Sequence, residues 1–552
     1  MKGFSGPLDA TLVPTTLSAQ WTWWSPLDRL QIGVAAGLLL LALPSLVRVA
    51  VRVLVAWREL PALQRRLLLA IWALGIALRV LEPQRLVMVY SAYELTESAA
   101  ALTSVHRYGA GAQVLQRLLF LVTAPDHRAV VALHTVLGAL TLPVLVAWLK
   151  RWQPPPWTLV LAAVGLALTP VLVRDAATES NLVPAALALF AGLLLVDHAV
   201  KERHRGDAAG AVILLAWAAV TRPELLAVAP IVAGIGLWRL DLTQKQRLRW
   251  ALALLLPWTL LVAPQAWHVA TQAVASSQRG AIALDTWWLG GLPRTLSSFL
   301  PLWPHAFPLV ATVLALVGLV WPVQGRGLRR ALALATLGWT FALVPDLPDV
   351  SVPRLAAPIA AVWLLLAAWP AAAWLQQAKS PQKAALALGL AFLTSALPTA
   401  WHLYARTAED DAETVLRRAV EALPAKGACL VALDGSDPPD KGLVQRAWPT
   451  YLLRPPHREA RLWGMARWQQ AGSPVCDAGT WLVIEHRCWA RYHTQPHEAG
   501  MLPICLELLD NHAWQPVWQA RLPGRGVHPY GYYAGTAAFD VGVFRLRETP
   551  ER

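Results

Sequence analysis

The sequence predicts a polytopic α-helical membrane protein of about twelve transmembrane helices, followed by a C-terminal soluble α/β domain. Three observations carry that prediction. The 552-residue chain is 56% hydrophobic and only 15% charged, with a mean hydropathy of +0.43; soluble domains carry about 25% charged residues. Apolar runs such as 32–47, 157–173 and 384–397 recur at loop-separated intervals, and about 20 apolar residues cross a bilayer as a helix. Beyond residue 404 the chain turns polar, and all four of its cysteines lie there.

Taken in order, the expected spans are 32–55, 67–83, 129–149, 157–173, 181–199, 209–221, 225–239, 250–268, 306–323, 331–345, 355–374 and 384–404. Trp21, Trp23 and Trp24 precede the first run. They read as an interfacial aromatic belt, and no small-residue cleavage pattern follows that run. One set of connectors holds Arg58, Arg65 and Arg66; Lys150 and Arg151; Lys201, Arg203 and Arg205; Lys245, Arg247 and Arg249; Arg326, Arg329 and Arg330; Lys379 and Lys383. The alternate connectors contain no lysine. The positive-inside rule makes the first set cytoplasmic and puts both termini outside. A net charge of +14 suits this topology. Nucleic acid is excluded as a partner, because the cytoplasmic loops are too short to form a domain that binds it.

The membrane domain is assigned to 1–404 and the extracytoplasmic domain to 405–552. Within the latter, 412–423 reads as a helix, and 429–433, 481–485 and 541–546 read as strands. Four cysteines confined to an exported domain point to disulfides, since that compartment is oxidising. The expected pairing is Cys488–Cys505, leaving Cys429–Cys476, although four cysteines allow three pairings. The competing reading is a zinc site from Cys488, His493, His497 and Cys505.

Charged groups at a bilayer edge are costly and mark cavities or pathways, and four outward clusters need that explanation. The first is Tyr90, Tyr93, Glu94 and Glu97 in "YSAYELTES", followed by the amphipathic "QVLQRLLFLVT", which should lie along the membrane surface. The second is "VRDAATESN", with Arg174, Asp175 and Glu179 at the turn joining two spans. Third comes "TRPE", with Arg222 and Glu224 recessed between two short spans. The fourth is Arg354 in "VPRLAAP", placed either to snorkel to headgroups or to hold a phosphate bidentately. The connector 269–305, with Asp285 beside Trp287 and Trp288, is expected to cover the pocket.

In order, spacing and sidedness these pieces resemble the GT-C glycosyltransferases, specifically the family 39 group of protein mannosyltransferase and aminoarabinose transferase relatives, over roughly residues 60–405. The segments concerned are the acidic first outer loop, "RYGAGAQVLQRLLFLVTAPDHRAVVALHTVLGALTLPVLVAWLKRW", "LALTPVLVRDAATESNLVP", "TRPE" and "VPRLAAP", the last similar to the family's "RYxxP". Two departures stand out: Tyr93-Glu94 replaces the family's Asp-Glu pair, and Arg354-Leu355 replaces its Arg-Tyr. The resemblance implies a polyprenyl-phosphate sugar donor and transfer outside the membrane with inversion at the anomeric carbon. It maps the first-loop acid to Glu94 and the phosphate-binding arginine to Arg354, with Arg174 and Glu179 in the second acidic turn.

The chemistry fits those residue types. A carboxylate can take the proton of an attacking hydroxyl or amine, and an arginine can stabilise the departing lipid phosphate. Glu94 is the expected base and Glu97 its substitute. Arg354 and then Arg222 are expected on the phosphate. Tyr93, Arg174, Asp175, Glu179, Glu224 and Asp285 are expected to line the substrate pocket. The acceptor could be a glycan, lipid or protein, and membrane lipids surround the spans. No metal ligand set is assigned, although an acid-rich pocket permits a divalent cation. The expected location is a bacterial inner membrane, with the active face and C-terminal domain towards the periplasm. Two other classes compete. A transporter or flippase of a lipid-linked or anionic substrate would also show outward charge clusters, and a non-catalytic membrane scaffold would keep the architecture without the chemistry. The absence of an internal repeat weighs against the transporter.

Overall fold

The computed structural model describes residues 26–81, 105, 109–123, 127–152, 154, 157–176, 181–222, 242–276, 307–320, 357–378, 418–419, 421–424, 426–432, 459–464, 471–484, 514–523 and 538–547, with isolated positions between 225 and 237 and between 380 and 397. Among these residues the helices are α1 (Pro26–Arg58), α2 (Ala62–Leu81), α3 (Ala110–Leu119), α4 (His127–Lys150), α5 (Thr158–Leu168), α6 (Pro170–Ala176), α7 (Leu182–Glu202), α8 (Arg205–Thr221), α9 (Gln244–Ser276), α10 (Leu309–Val320) and α11 (Ala357–Gln377). Four of them, α1, α4, α7 and α9, are long and apolar enough to cross a membrane. This is an integral membrane protein built mainly of helices. Of the remaining expected spans, 331–345 lies outside the described residues, and 225–239 and 384–404 fall mostly outside them.

The expected span 157–173 is not one helix but two. Thr169 is extended (φ −66°, ψ 122°), as the residue before a proline prefers, and Pro170 then opens α6. The Thr169 hydroxyl donates to the Gly165 carbonyl at 2.6 Å, satisfying part of the broken ladder. Thr135 of α4 donates to the Ala176 carbonyl at 3.1 Å, tying down the far end of α6.

Prolines inside the long helices are used as junctions. Pro143 has no N–H, so the carbonyl of Ala139 four residues back is left without its helical donor. Trp72 of α2 supplies one, at 2.8 Å, while Trp57 of α1 donates to the Pro143 carbonyl at 3.4 Å. Pro370 of α11 similarly frees the Leu366 carbonyl. Gly318 of α10 packs so close to that oxygen that a Cβ there would lie 2.3 Å from it.

The bundle centres on α7, whose apolar stretch is 94% buried. It packs most extensively on α8, and also on α4. The helix ends that the basic residues assign to the cytoplasm gather at one end of the bundle. There Arg52 of α1 bridges Glu202 at 2.9 Å and Asp207 at 2.8 Å, and Arg151 reaches Glu202 at 3.2 Å. Lys201 donates to the Arg151 carbonyl at 3.1 Å, and Lys150 pairs with Glu59. The other ends of α2, α6 and α8 carry Arg79, Asp175 and Arg222.

In the C-terminal part, β1 (Lys426–Ala432), β2 (Glu459–Gly464), β3 (Thr480–Ile484), β4 (Trp514–Pro523) and β5 (Ala538–Leu546) form one mixed sheet in the order β2-β1-β3-β5-β4. The β1 strand is parallel to β2 and β3, whereas β5 is antiparallel to both β3 and β4. Ala428, Leu430, Trp481 and Val543 are buried with Ala419 and Leu423. Three strands fall where alternation predicts them; β2 and β4 add the two edges. A disulfide joins Cys429 of β1 to Cys476 in the turn before β3, Cα–Cα 5.4 Å. Cys488 and Cys505, the first-ranked pair, lie outside the described residues, and so does the alternative zinc set.

Candidate functional site

Most of the expected site residues lie outside the described residues: Tyr93, Glu94, Glu97, Glu179, Glu224, Asp285 and Arg354. Arg174 is described as a backbone position in α6. Asp175 and Arg222 are described fully, and both are buried, at 4% and 5% exposure.

Asp175 lines a small cleft, about 60 Å³ in volume, between α2 and α4 to α7. The other charged residue on its wall is Arg79, at the same end of the bundle. Arg79 stands in the last turn of α2 and is 6% exposed. Its Nη1 donates to the Gly75 carbonyl of its own helix at 2.9 Å, and its Nη2 to the Leu166 carbonyl of α5 at 3.3 Å. The Nε–H has no partner among the described residues. The Leu166 carbonyl lies near the Thr169–Pro170 break, so the break that ends α5 also helps seat the guanidinium. Apolar side chains of Leu142, Leu145, Leu172 and Phe190 complete the wall, with Thr141 adding a hydroxyl. A buried guanidinium is expensive in a membrane and is kept there by function or partners. An acid and an arginine on the wall of a largely aliphatic cleft can hold an anionic or hydroxylated group.

Sequence reasoning misses Arg79. It sits inside the apolar run 67–81, near its outer end, where a lone arginine is expected to snorkel. The one available signal is its position one turn before the acidic first loop, on the same side as Asp175.

Arg222 is not among the residues lining this cleft. It caps α8 in extended geometry (φ −141°, ψ 118°), its N–H bonded to the Ala218 carbonyl. The preceding Thr221 bonds its hydroxyl to the Trp217 carbonyl at 2.7 Å. The start of α3 is pressed against this end. Gly109 has φ +103°, a value that side chains avoid, and a Cβ there would lie 2.3 Å from the Val220 carbonyl. A Cβ on Gly111 would lie 2.5 Å from the Thr221 hydroxyl oxygen. The glycines of "RYGAGA" therefore let α3 dock on the end of α8. Among the described residues no group of three or more His, Cys, Asp or Glu is placed to hold a metal ion.

No family model matches this chain, and no curated protein matches it. Among solved structures it is similar to ArnT from Cupriavidus metallidurans in the apo state, at 11% identity and a TM-score of 0.49 over 87% of this chain and 97% of that one. It is also similar to ArnT bound to undecaprenyl phosphate, at 12% identity and a TM-score of 0.47, over 87% and 97% of the two chains. A third is the arabinofuranosyltransferase AftD from Mycobacteria, at 13% identity and a TM-score of 0.47. That match covers 88% of this chain but only 40% of AftD.

Proposed function

We propose that the chain is a GT-C-type membrane glycosyltransferase of about twelve spans. In this reading it moves a sugar from a polyprenyl-phosphate donor to a glycan, lipid or protein acceptor on the outer, periplasmic face of a bacterial inner membrane. The observation that supports it best is the cleft in which buried Arg79 and Asp175 share one aliphatic wall. A buried guanidinium and carboxylate set among apolar side chains suit a ligand that joins a charged head to a hydrocarbon chain. The ordered acidic and basic motifs that resemble the family add to it.

The reaction assigns one bond made and one broken. The acceptor oxygen or nitrogen attacks the anomeric carbon from the face opposite the phosphate, and Glu94 takes its proton as general base. The bond from the anomeric carbon to the phosphate oxygen breaks, and the electron pair leaves with the polyprenyl phosphate. Arg354 and Arg222 neutralise the charge that grows on that leaving group. Asp175 and Glu179 orient the acceptor or pair with Arg174, while Tyr93, Glu224 and Asp285 complete the pocket. An acid-rich pocket would permit a divalent cation, which takes no step in this scheme.

The test separates base from phosphate ligand. Glu94→Gln keeps shape and hydrogen bonding but removes the proton acceptor, so turnover falls about 10²–10⁴-fold with donor affinity nearly unchanged. Arg354→Ala weakens both donor binding and turnover, because the phosphate contact exists before the transition state and strengthens within it. Glu97→Gln is milder. Transfer at the parental rate by both glutamate variants removes the first loop from the active site.

A further inference from the structure

We propose that α1, α8 and α9, at the ends that the basic residues assign to the cytoplasm, form a seam that binds an anionic glycerophospholipid of the inner leaflet, with Arg48, Arg205 and Arg249 on its phosphate. The starting observation is an imbalance of charge at that end of the bundle. Arg52 holds both Glu202 and Asp207, at 2.9 and 2.8 Å, and Arg151 shares Glu202 at 3.2 Å. These two acids are therefore taken. Arg48, Arg205, Lys245 and Arg249 are exposed and make no ion pair among the described residues.

Helix register brings three of these cations to one level. The Arg48 guanidinium sits over the first turn of α8, where a Cβ on Gly206 would run into its Nη1. Arg205 opens that same turn. The α8 helix packs on both α1 and α9. At the other end of the bundle, Val220 of α8 and Gln265 of α9 both close on Gly109, and Asp28 of α1 lies within electrostatic reach of His268 of α9. The buried face of α9, with Leu254, Trp258 and Val262, runs back along the bundle from there. Counting back from the first of these paired levels, 220 − 205 = 15 residues reach Arg205 and 265 − 249 = 16 reach Arg249. From the second, 48 − 28 = 20 residues reach Arg48 and 268 − 249 = 19 reach Arg249. All three arginines thus stand within one helical turn of the same level.

That level has a meaning in a membrane. Twenty residues of helix rise about 30 Å, one hydrocarbon thickness, so the arginines lie where the inner leaflet keeps its phosphates. Arg58 lies beyond them, because 58 − 48 = 10 further residues of α1 add about 15 Å. On the hydrocarbon side of the three arginines the surface is aliphatic: Leu40, Leu43 and Val47 of α1 and Leu252, Leu256 and Leu260 of α9 are exposed.

The chemistry selects the ligand class. Aliphatic stripes suit acyl chains, and guanidiniums with no carboxylate of their own suit a phosphate, which arginine can hold bidentately. Cations at this depth are attracted to anionic lipid. A zwitterionic headgroup brings a cation of its own to the seam and gains less. The sugar donor is expected at the opposite end of the bundle, so this inference stands with or without the transfer reaction.

Titration of phosphatidylglycerol and of phosphatidylcholine onto the purified full chain in detergent, read by native mass spectrometry, tests it. Phosphatidylglycerol is expected to bind saturably and more tightly than phosphatidylcholine. The variant Arg48→Gln/Arg205→Gln/Arg249→Gln should weaken that binding about tenfold or more, and Arg249→Gln alone should weaken it several-fold. Arg58→Gln/Arg65→Gln/Arg66→Gln removes the same charge elsewhere on that face and should leave the affinity unchanged, as should Arg79→Met. Glycerol phosphate, a headgroup without its chains, should not displace the lipid. Equal binding of the two lipids, or equal weakening by both triple variants, reduces the seam to diffuse surface charge and overturns the proposal. So does binding that survives the seam variants, displacement by glycerol phosphate, which makes the seam a site for soluble anions, or loss of binding with Arg79→Met, which puts the lipid in the outer cleft.

Discussion

Arg79 carries the sharpest prediction at the scale of single residues. Two of its nitrogens already serve backbone carbonyls, at 2.9 and 3.3 Å, so a purely structural role is a real competitor to ligand binding. Methionine matches its length and apolar stem but leaves the buried Leu166 carbonyl, which Pro170 cannot serve, without its donor, a loss of about 1–3 kcal/mol. Arg79→Met should therefore lose no more than about 1–3 kcal/mol of stability, and should bind a polyprenyl-phosphate sugar about tenfold or more weakly, the loss of a hydrogen bond to a charged group. Thermal unfolding beside donor titration checks this. A strongly destabilised variant, or one with parental donor affinity, makes Arg79 a structural pin between α2 and α5. Residues 93–97 and 354 were visible in the sequence because loops concentrate polar groups. Arg79 was not, because an apolar run disguises it.

At the scale of elements, hydropathy locates the helices well and their interruptions badly. The run 157–173 is uniformly apolar, so its average conceals Pro170, and only the backbone restriction before proline shows where the helix divides. The amphipathicity of α3 is equally plain in its sequence, but not which face turns inward; that depends on what α1 and α9 present to it. Close helix crossings are legible only in part, since a glycine in a span does not announce its neighbour. Two glycines give opposite predictions. Gly318→Ala drives a Cβ to 2.3 Å from the Leu366 carbonyl, forcing α10 and α11 apart at a cost of about 1–3 kcal/mol. Gly37→Ala on α1 meets nothing within 4 Å and should be neutral or stabilising by about 0.5–1 kcal/mol, as glycine is a poor helix former. Comparing the unfolding of the two variants in one detergent measures both. Equal destabilisation would contradict the close crossing of α10 and α11.

For the whole molecule, sidedness is the property on which the mechanism depends. The basic connectors predict that Lys150, Arg151 and Lys201 share one face, and the ion pairs through Glu202, Asp207 and Glu59 gather them with Arg52 of α1 at one end. Two independent features, connector charge and helix-end pairing, thus agree on which ends go together. The Cys429–Cys476 bridge is in keeping with the C-terminal part lying in an oxidising compartment. In intact cells these two cysteines should resist alkylation until a reductant is added, and a reporter active only in an oxidising compartment should be active when fused after residue 405. Free thiols at 429 and 476, with a silent reporter, would turn the molecule over and remove the outward active site with it.

Sugar transfer from a lipid phosphate can be followed with a polyprenyl-phosphate donor labelled in its sugar. The purified protein is reconstituted into sealed vesicles with an acceptor mixture of membrane glycolipids and periplasmic glycans. The account predicts release of free polyprenyl phosphate in step with sugar appearing on an acceptor, with inverted anomeric configuration, and loss of both with Glu94→Gln. Donor that crosses the vesicle membrane with its sugar still attached, and no free polyprenyl phosphate, would contradict it and make the molecule a transporter.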